Sequence, residues 1–334
     1  MVDFYDRLLN SDKCFIIAEI GSNHNGSFDN AIKLMDVAHE AGADAVKFQS
    51  FLADHMVSKE SPDYDKLKTL EVPELWYSKL KAAADERGLV FFSTATNSIT
   101  LGWLQNINTE LYKIASPNLT HIPLIKEAAK IGKSLILSTG MATMYEVEEA
   151  IHAALSVGNQ KICILHCLSM YPTPPSAVNL KSMVSLKNFF PYPVGYSDHT
   201  LGNEIVIAAV ALGAKIIEKH ITLDRSMPGP DHYYSSEPKE FIDMVRAVRN
   251  VEKSIGSSYK QPNKHETQLS KKYWRSIHAS KDMSKGYIIK IDDLKIIRPN
   301  DGLHSRYVDH IVGMKLTVGV DEGDKITWDN FKIE

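Results

Sequence analysis

The chain has 334 residues, with 38 basic and 41 acidic side chains and a formal charge of −3. Apolar residues make up 44% and charged residues 24%, the balance of a folded globular protein rather than a disordered one. The near-neutral charge excludes the basic footprint of a nucleic-acid binder and the cationic face of a membrane-surface helix. No run approaches the roughly 18 uncharged apolar residues that a bilayer span needs. The N-terminus, MVDFYDRLLNSDK, lacks the basic-then-apolar order of a signal peptide, and Cys14, Cys163 and Cys167 are too few for a disulfide framework. These features predict a reduced, cytoplasmic protein, with Cys163 and Cys167 serving packing.

Eight apolar runs rich in Val, Ile, Phe and Tyr follow in order: 14–21, 45–50, 90–94, 111–116, 134–140, 162–167, 193–198 and 216–222. Near-continuous apolar runs of this length suit strands buried on both faces, as in parallel sheets. Helical patterns separate them. Residues 28–41 place Ala31, Leu34, Met35, Val37 and Ala38 on one stripe, between the cap candidates Ser27 and Asp29 and a closing Gly42. Residues 73–87, 124–131, 144–157, 204–212 and 238–255 behave similarly. Eight strand–helix units within about 250 residues predict a (β/α)8 TIM barrel over 1–256, in preference to an open doubly wound sheet. Residues 257–275 are polar and read as a linker. Residues 276–334 read as a small, mostly β module. Gly286, Ile289, Leu294, Lys295 and Ile296 recur at the offsets of Gly323, Ile326, Phe331, Lys332 and Ile333, which suggests pseudo-two-fold symmetry.

Barrel sites form where strands end at the C-terminal face. The first run carries Glu19, the second Lys47 and Gln49 on one face, the third Thr94, the fourth Lys113 and Ser116, and the fifth Ser138. The sixth leads to Ser169 and Tyr171, the seventh carries Ser197 and His199, and the eighth Glu218 and His220. Charged groups inside apolar strands are costly unless they serve a site. Two lysines among hydroxyls make an oxyanion cradle suited to phosphate, with a Schiff-base lysine as the competing reading. His199 and His220 end neighbouring strands, which run about 4.8 Å apart, so both imidazoles can share one divalent ion. Mn²⁺ fits imidazole, carboxylate and water ligands, with Zn²⁺ left open. Glu218 shares the inward parity of His220, whereas Lys219 should face the helices. The glycines at 21–26 do not match a dinucleotide-binding fingerprint.

The motifs AEIGSNHNG, AVKFQ, YKIAS, SLILSTGMA, LHCLSMYPTP, GYSDHT and EKHITLDRSMPGPDH together resemble, in order and spacing, the sialic acid (nonulosonic acid) synthase family. The tail RSIHASKDMSKGYIIKIDDLKIIRPNDG resembles that family's SAF domain, which is like type III antifreeze protein. The resemblance implies a TIM barrel followed by a SAF domain and a domain-swapped homodimer. It also implies condensation of phosphoenolpyruvate with the open-chain aldehyde of an N-acylated hexose, giving a nine-carbon keto acid and phosphate. Carried over by motif, Lys47, Thr94, Lys113, Ser116, Ser138, Ser169 and Ser197 would hold phosphoenolpyruvate, and His199 and His220 would bind Mn²⁺. Glu19, Gln49, Tyr171 and Asp231 would face the sugar, joined by Arg298 from the partner chain. Glu218, or a metal-bound water beside it, would position or deprotonate the attacking water, and Glu19 would join it as a catalytic residue.

Three positions depart from the N-acetylneuraminate pattern. In those synthases Asn118 is usually Glu, Thr96 usually Phe and Ser169 usually Asn. The first two should line the sugar pocket, so the resemblance points to a different acceptor. A 2,4-diacetamido-2,4,6-trideoxymannose, the precursor of N,N'-diacetyllegionaminate, suits the altered wall. N-acetylneuraminate and pseudaminate synthesis are the alternatives.

Overall fold

The computed structural model describes residues 3–331. Eight parallel strands close into one barrel in sequence order: β1 (Phe15–Gly21), β2 (Ala45–Ser50), β3 (Val90–Ala95), β4 (Leu111–Ile114), β5 (Ser134–Ser138), β6 (Ile162–Cys167), β7 (Val194–Asp198) and β8 (Ile216–His220). The outer helices are α2 (Phe28–Ala41), α3 (Tyr64–Leu70), α4 (Glu74–Glu86), α5 (Ser98–Asn106), α6 (Ile122–Lys130), α7 (Met144–Leu155), α8 (Leu180–Phe189), α9 (Glu204–Ala211) and α10 (Pro238–Ile255). Strand limits differ from the sequence expectation by two residues or fewer at either end. The helices α3, α5 and α8 lie outside the periodic patterns. α5 is short, and its start is set by Asn97, whose side chain accepts from the Thr100 N–H.

The barrel interior changes character along each strand. Its lower layer is apolar: Ile17, Ala45, Phe92, Leu111, Ile136, Cys163, Leu165 and Ile216 pack together. Helix α1 (Phe4–Leu9), which the sequence reading missed, inserts Phe4 and Leu8 into this layer and plugs the bottom. Two residues further along the same inward parity stand Glu19, Lys47, Thr94, Lys113, Ser138, Cys167 and Glu218. A hydrophobic floor therefore carries a polar upper layer. At the inward position Gly195, a Cβ would lie 2.2 Å from the Ile216 carbonyl oxygen, so only glycine lets β7 approach β8 there.

Outside the barrel, Lys219 meets Asp198 in a buried ion pair and donates to the Thr200 carbonyl at 2.8 Å. Asp198 also accepts from the Thr200 N–H at 3.0 Å. The pair ties the ends of β7 and β8 together on the face opposite His199 and His220. Among the described residues no helix is long and apolar enough to cross a membrane.

The chain divides into two compact units, one up to Gly256 and one from Ser257. The segment expected to be a linker instead holds helix α11 (Lys264–Tyr273), started by a reciprocal cap between Asn263 and Glu266. The second unit contains one antiparallel pair, β9 (Ser276–Ala279) with β10 (Leu294–Ile297), a short α12 (Val308–Ile311) and several single bridges. It is thus built more from turns and bridges than from extended strands. Its internal repeat is structural. Gly286 and Gly323 both take φ +88°, Ile289 and Ile326 are both buried, and matching 3-10 turns follow at Ile291–Asp293 and Trp328–Asn330. The last two members of the repeat, Lys332 and Ile333, lie outside the described residues.

Lys219→Met leaves the Asp198 carboxylate buried without its cation. Urea denaturation should show a loss of about 3–5 kcal/mol. The double variant Lys219→Met, Asp198→Leu should recover most of it.

Candidate active site

A cavity of about 540 Å³ opens at the C-terminal ends of the strands. Lys47, Gln49, Thr94, Lys113, Ser116, Asn118, Ser138, Tyr171, Ser197, His199, Glu218 and His220 all line it. At its base Lys113 Nζ donates to both Glu218 oxygens, at 3.1 and 3.2 Å, and Ser197 Oγ donates to Oε1 at 2.9 Å. Lys47 Nζ lies 2.5 Å from Glu19 Oε2 and 3.8 Å from Glu218 Oε2. The two amines therefore do not stand free. Each has a carboxylate partner.

Burial would raise the Glu218 carboxyl, but the charges of Lys113 and Lys47, with the Lys113 and Ser197 hydrogen bonds, hold it at about 2. Glu19 goes the other way. Its complete burial, together with the charge of Glu218, lifts it above the usual carboxylate range despite Lys47. Burial pulls Lys47 down, but Glu19 and Glu218 outweigh it and raise the amine. Burial and the neighbouring Lys47 lower Lys113.

Glu19 was expected to face the sugar. It does not line the cavity. It lies beneath the wall, fully buried, and accepts from Gln49 Nε2 at 2.9 Å. Its role here is to hold Lys47 and Gln49 in place. Ser169 also falls short of the cavity lining, and its Oγ is buried without a hydrogen-bond partner. Ser138 Oγ is likewise buried and unpartnered. Ser116 Oγ accepts from the Gly140 N–H at 2.9 Å. A Cβ on Gly140 would stand 2.5 Å from Ser169 Oγ and 2.7 Å from Ser116 Oγ, so glycine keeps this hydroxyl cradle open. Hydroxyls without protein acceptors beside two ammonium groups are the chemistry of an oxyanion site.

The imidazoles of His199 and His220 have ring centroids 5.4 Å apart. His199 Nδ1 bonds the Leu168 carbonyl at 2.7 Å, which leaves Nε2 as the available lone pair. His220 Nδ1 is buried with no hydrogen-bond partner, and burial lowers this ring to about 4, keeping it neutral. A neutral imidazole with an unspent nitrogen fits a metal ligand. Among the described residues no three or more His, Cys, Asp and Glu side chains are grouped as they would be around a metal ion.

Asp231 lines an adjoining cavity of about 420 Å³, which shares Gln49, Tyr171 and His220 with the first. It accepts from Ser22 Oγ at 3.0 Å. Arg298 belongs to the second unit, where it is exposed just after β10 and lies over the Tyr273 ring at 5.2 Å.

Several residues escaped the sequence reading. Tyr234 packs edge-on against both His199 and His220. Cys167 lines the cavity rather than serving packing alone. Burial pushes its thiol up, but the neighbouring His199 and the charge of Lys113 bring it below the ordinary range. His55, Met56, Asn97 and His121 also line the wall, from loops that carry no periodic signal. In the loop after β1, Asn23 Nδ2 bonds the Ile221 carbonyl and Ser235, while His24 lies buried between Phe48 and Trp76.

A barrel whose floor is apolar and whose mouth joins paired lysines, hydroxyls and a histidine pair has the form of an enzyme cavity for a polar, anionic substrate. The NeuB family matches residues 34–260 and the SAF domain matches residues 275–332. An uncharacterized protein of Methanocaldococcus jannaschii is 43% identical over 95% of this chain and 94% of its own length. Proteins named N,N'-diacetyllegionaminic acid synthase from Legionella pneumophila and Campylobacter jejuni are 38% and 39% identical, covering 96% and 94% of this chain and 95% and 99% of their own. A pseudaminic acid synthase of Campylobacter jejuni is 35% identical and the human N-acetylneuraminate-9-phosphate synthase 34%. A crystal structure of N-acetylneuraminic acid synthetase from Leptospira borgpetersenii, in complex with citrate, matches with TM-score 0.73 and 35% identity over 77% of this chain and 90% of that one. The chain belongs to the NeuB family. It is an enzyme, a phosphoenolpyruvate-dependent nonulosonic acid synthase and hence a transferase.

Gly140→Ala should weaken binding of inorganic phosphate about tenfold by calorimetry, the size of one lost charge-assisted hydrogen bond, with the circular dichroism spectrum preserved. A second expectation concerns acid. Burial holds His24 neutral, at about 4 against an ordinary 6.5. Its contribution is complete above pH 6.5 and is lost as pH falls toward 4, on the order of 2–3 kcal/mol. Thermal melts at pH 7 and pH 4.5 should therefore differ more for the native chain than for His24→Gln.

Proposed function

We propose that this synthase joins phosphoenolpyruvate to 2,4-diacetamido-2,4,6-trideoxymannose, giving N,N'-diacetyllegionaminate and phosphate. The supporting observation is the cavity wall. Thr96 and Asn118 line it, where N-acetylneuraminate synthases usually carry Phe and Glu. The higher identity to the two legionaminic relatives than to the pseudaminic and neuraminic ones points the same way.

The residues have distinct parts in this reaction. Lys47, Lys113, Thr94 and the hydroxyls of Ser116, Ser138 and Ser197 bind and orient phosphoenolpyruvate, and Ser169, buried outside the cavity lining, backs the cradle beside Gly140. His199 and His220 would hold a divalent ion, Mn²⁺ in this reading, which when bound supplies Lewis-acid polarisation of the aldehyde oxygen. Gln49, Tyr171 and Asp231 orient the sugar. C3 of phosphoenolpyruvate bonds to the aldehyde carbon, whose oxygen takes up a proton, and C2 gains cationic character. Water adds to C2, and the C2–O bond to phosphate then breaks with the electron pair leaving on phosphate. Glu218, ionised and held by Lys113 and Ser197, orients that water, and the water's protons pass to the new alkoxide and to the departing phosphate. Ionic and hydrogen-bonding groups fixed before the substrate arrives need no rearrangement as charge develops.

The active unit is a homodimer in which Arg298 of one protomer completes the sugar site on its neighbour's barrel. Dimer exchange tests this arrangement. His220→Ala should lose metal binding and nearly all turnover, and Arg298→Ala should raise KM for the sugar. In a swapped dimer, mixing the two variants restores one intact site, so a fraction of turnover with the native KM for the sugar should reappear. In an unswapped dimer only the raised KM of Arg298→Ala is seen. Mass spectrometry of the product from phosphoenolpyruvate and each of the three candidate sugars, with and without Mn²⁺, tests the acceptor. The diacetamido sugar should give the highest kcat/KM, and a chelator should abolish product.

A further inference from the structure

Asn97 is an unassigned part of the cavity wall. Its Oδ1 accepts from the Thr100 N–H at 3.0 Å, which fixes the amide orientation. Its Nδ2 is buried and has no hydrogen-bond partner, although the residue lines the cavity. A buried N–H without an acceptor costs about as much as a lost hydrogen bond. An acceptor arriving with a ligand would satisfy it. His121 starts α6, and its Nδ1 accepts from the Leu124 N–H at 3.2 Å, which leaves Nε2 as the ring nitrogen that can donate. It lines the same cavity, as do Met56 and Pro117.

In the closed order of eight strands, the loops after β3 and β4 stand across the mouth from β7 and β8. Asn97 and His121 therefore face the His199–His220 pair from the opposite side. A six-carbon chain with its aldehyde at the histidines turns its far end toward this wall. Two N–H donors next to apolar surface match a carbonyl oxygen with an attached methyl.

We infer that Asn97 and His121 form an amide subsite that reads the acylamido group at C4 of the acceptor, with Asn97 Nδ2 donating to its carbonyl and Met56 and Pro117 taking its methyl. This deepens the acceptor assignment made above and rests on it. A sugar with a hydroxyl at C4 brings no methyl for that surface.

Asn97→Asp separates the two jobs of the residue, because aspartate also caps helices while its carboxylate offers no donor. The measurement is the ratio of kcat/KM for 2,4-diacetamido-2,4,6-trideoxymannose to that for N-acetylmannosamine. It should fall about 10- to 100-fold in Asn97→Asp, the size of a lost hydrogen bond plus an unpaired carboxylate. His121→Asn, which also keeps a capping group, should lower it by a smaller factor. Asn97→Ser stands in if the aspartate variant does not fold. Ratios within twofold of the native enzyme in both the Asn97 and His121 variants overturn the subsite but leave the acceptor assignment standing. A native enzyme that itself prefers N-acetylmannosamine overturns both.

Discussion

Four buried charges at the base of the barrel mouth organise everything above them. Lys113 is clamped by both oxygens of Glu218, and Lys47 lies between Glu19 and Glu218. Ions taken out of water at this depth persist only when paired and hydrogen-bonded. Each partner therefore fixes the next, and Ser197 and Gln49 are held by the same carboxylates. The result is a base that is nearly neutral overall yet locally strongly polar. Rigid ammonium groups and open hydroxyls face the cavity, while carboxylates behind them offset the repulsion between the lysines.

The fold supplies the rigidity this arrangement needs. The apolar layer below, sealed by Phe4 and Leu8, excludes water from the underside of the ion cluster. On the outer surface the Asp198–Lys219 pair binds β7 to β8, one residue before each histidine. Inward and outward residues of the same two strands thus perform separate tasks, which the alternation of a β-strand allows. Gly195 completes the effect by letting those strands close up at a point where any side chain would strike a backbone carbonyl.

Much of this was legible in the residues. Period-two parity placed Lys47, Lys113, Glu218 and His220 inside the barrel, because burying a polar side chain on an inward strand face costs too much unless a site uses it. The strands were found because both their faces are buried, which leaves near-continuous apolar runs. What stayed hidden depends on three-dimensional neighbours. Nothing in the run AEIG says that Glu19 will lie under Lys47 rather than against a ligand. Cys167 looked like Cys163, four residues earlier on the same face, yet one floor of the barrel is dry and the other opens to the cavity. Asn97 and His121 reach the wall from turns beyond the strands, where no periodicity operates. Helix α11 was masked by its polarity. Every residue in it except Ser270 is exposed, so it shows no apolar stripe and is stabilised locally by its Asn263–Glu266 cap.

The repeat in the second unit has a consequence for how the chain comes off the ribosome. Its bridges cross between halves, joining His278 to Lys325, Met283 to Val320 and Ile288 to Lys315, and Phe331 closes onto Leu316. Neither half owns a complete core. The barrel has every strand available once residue 220 has emerged and can settle during synthesis. The second unit has to wait for the turn at residues 328–331, so its two halves close on each other only after every barrel strand has been made.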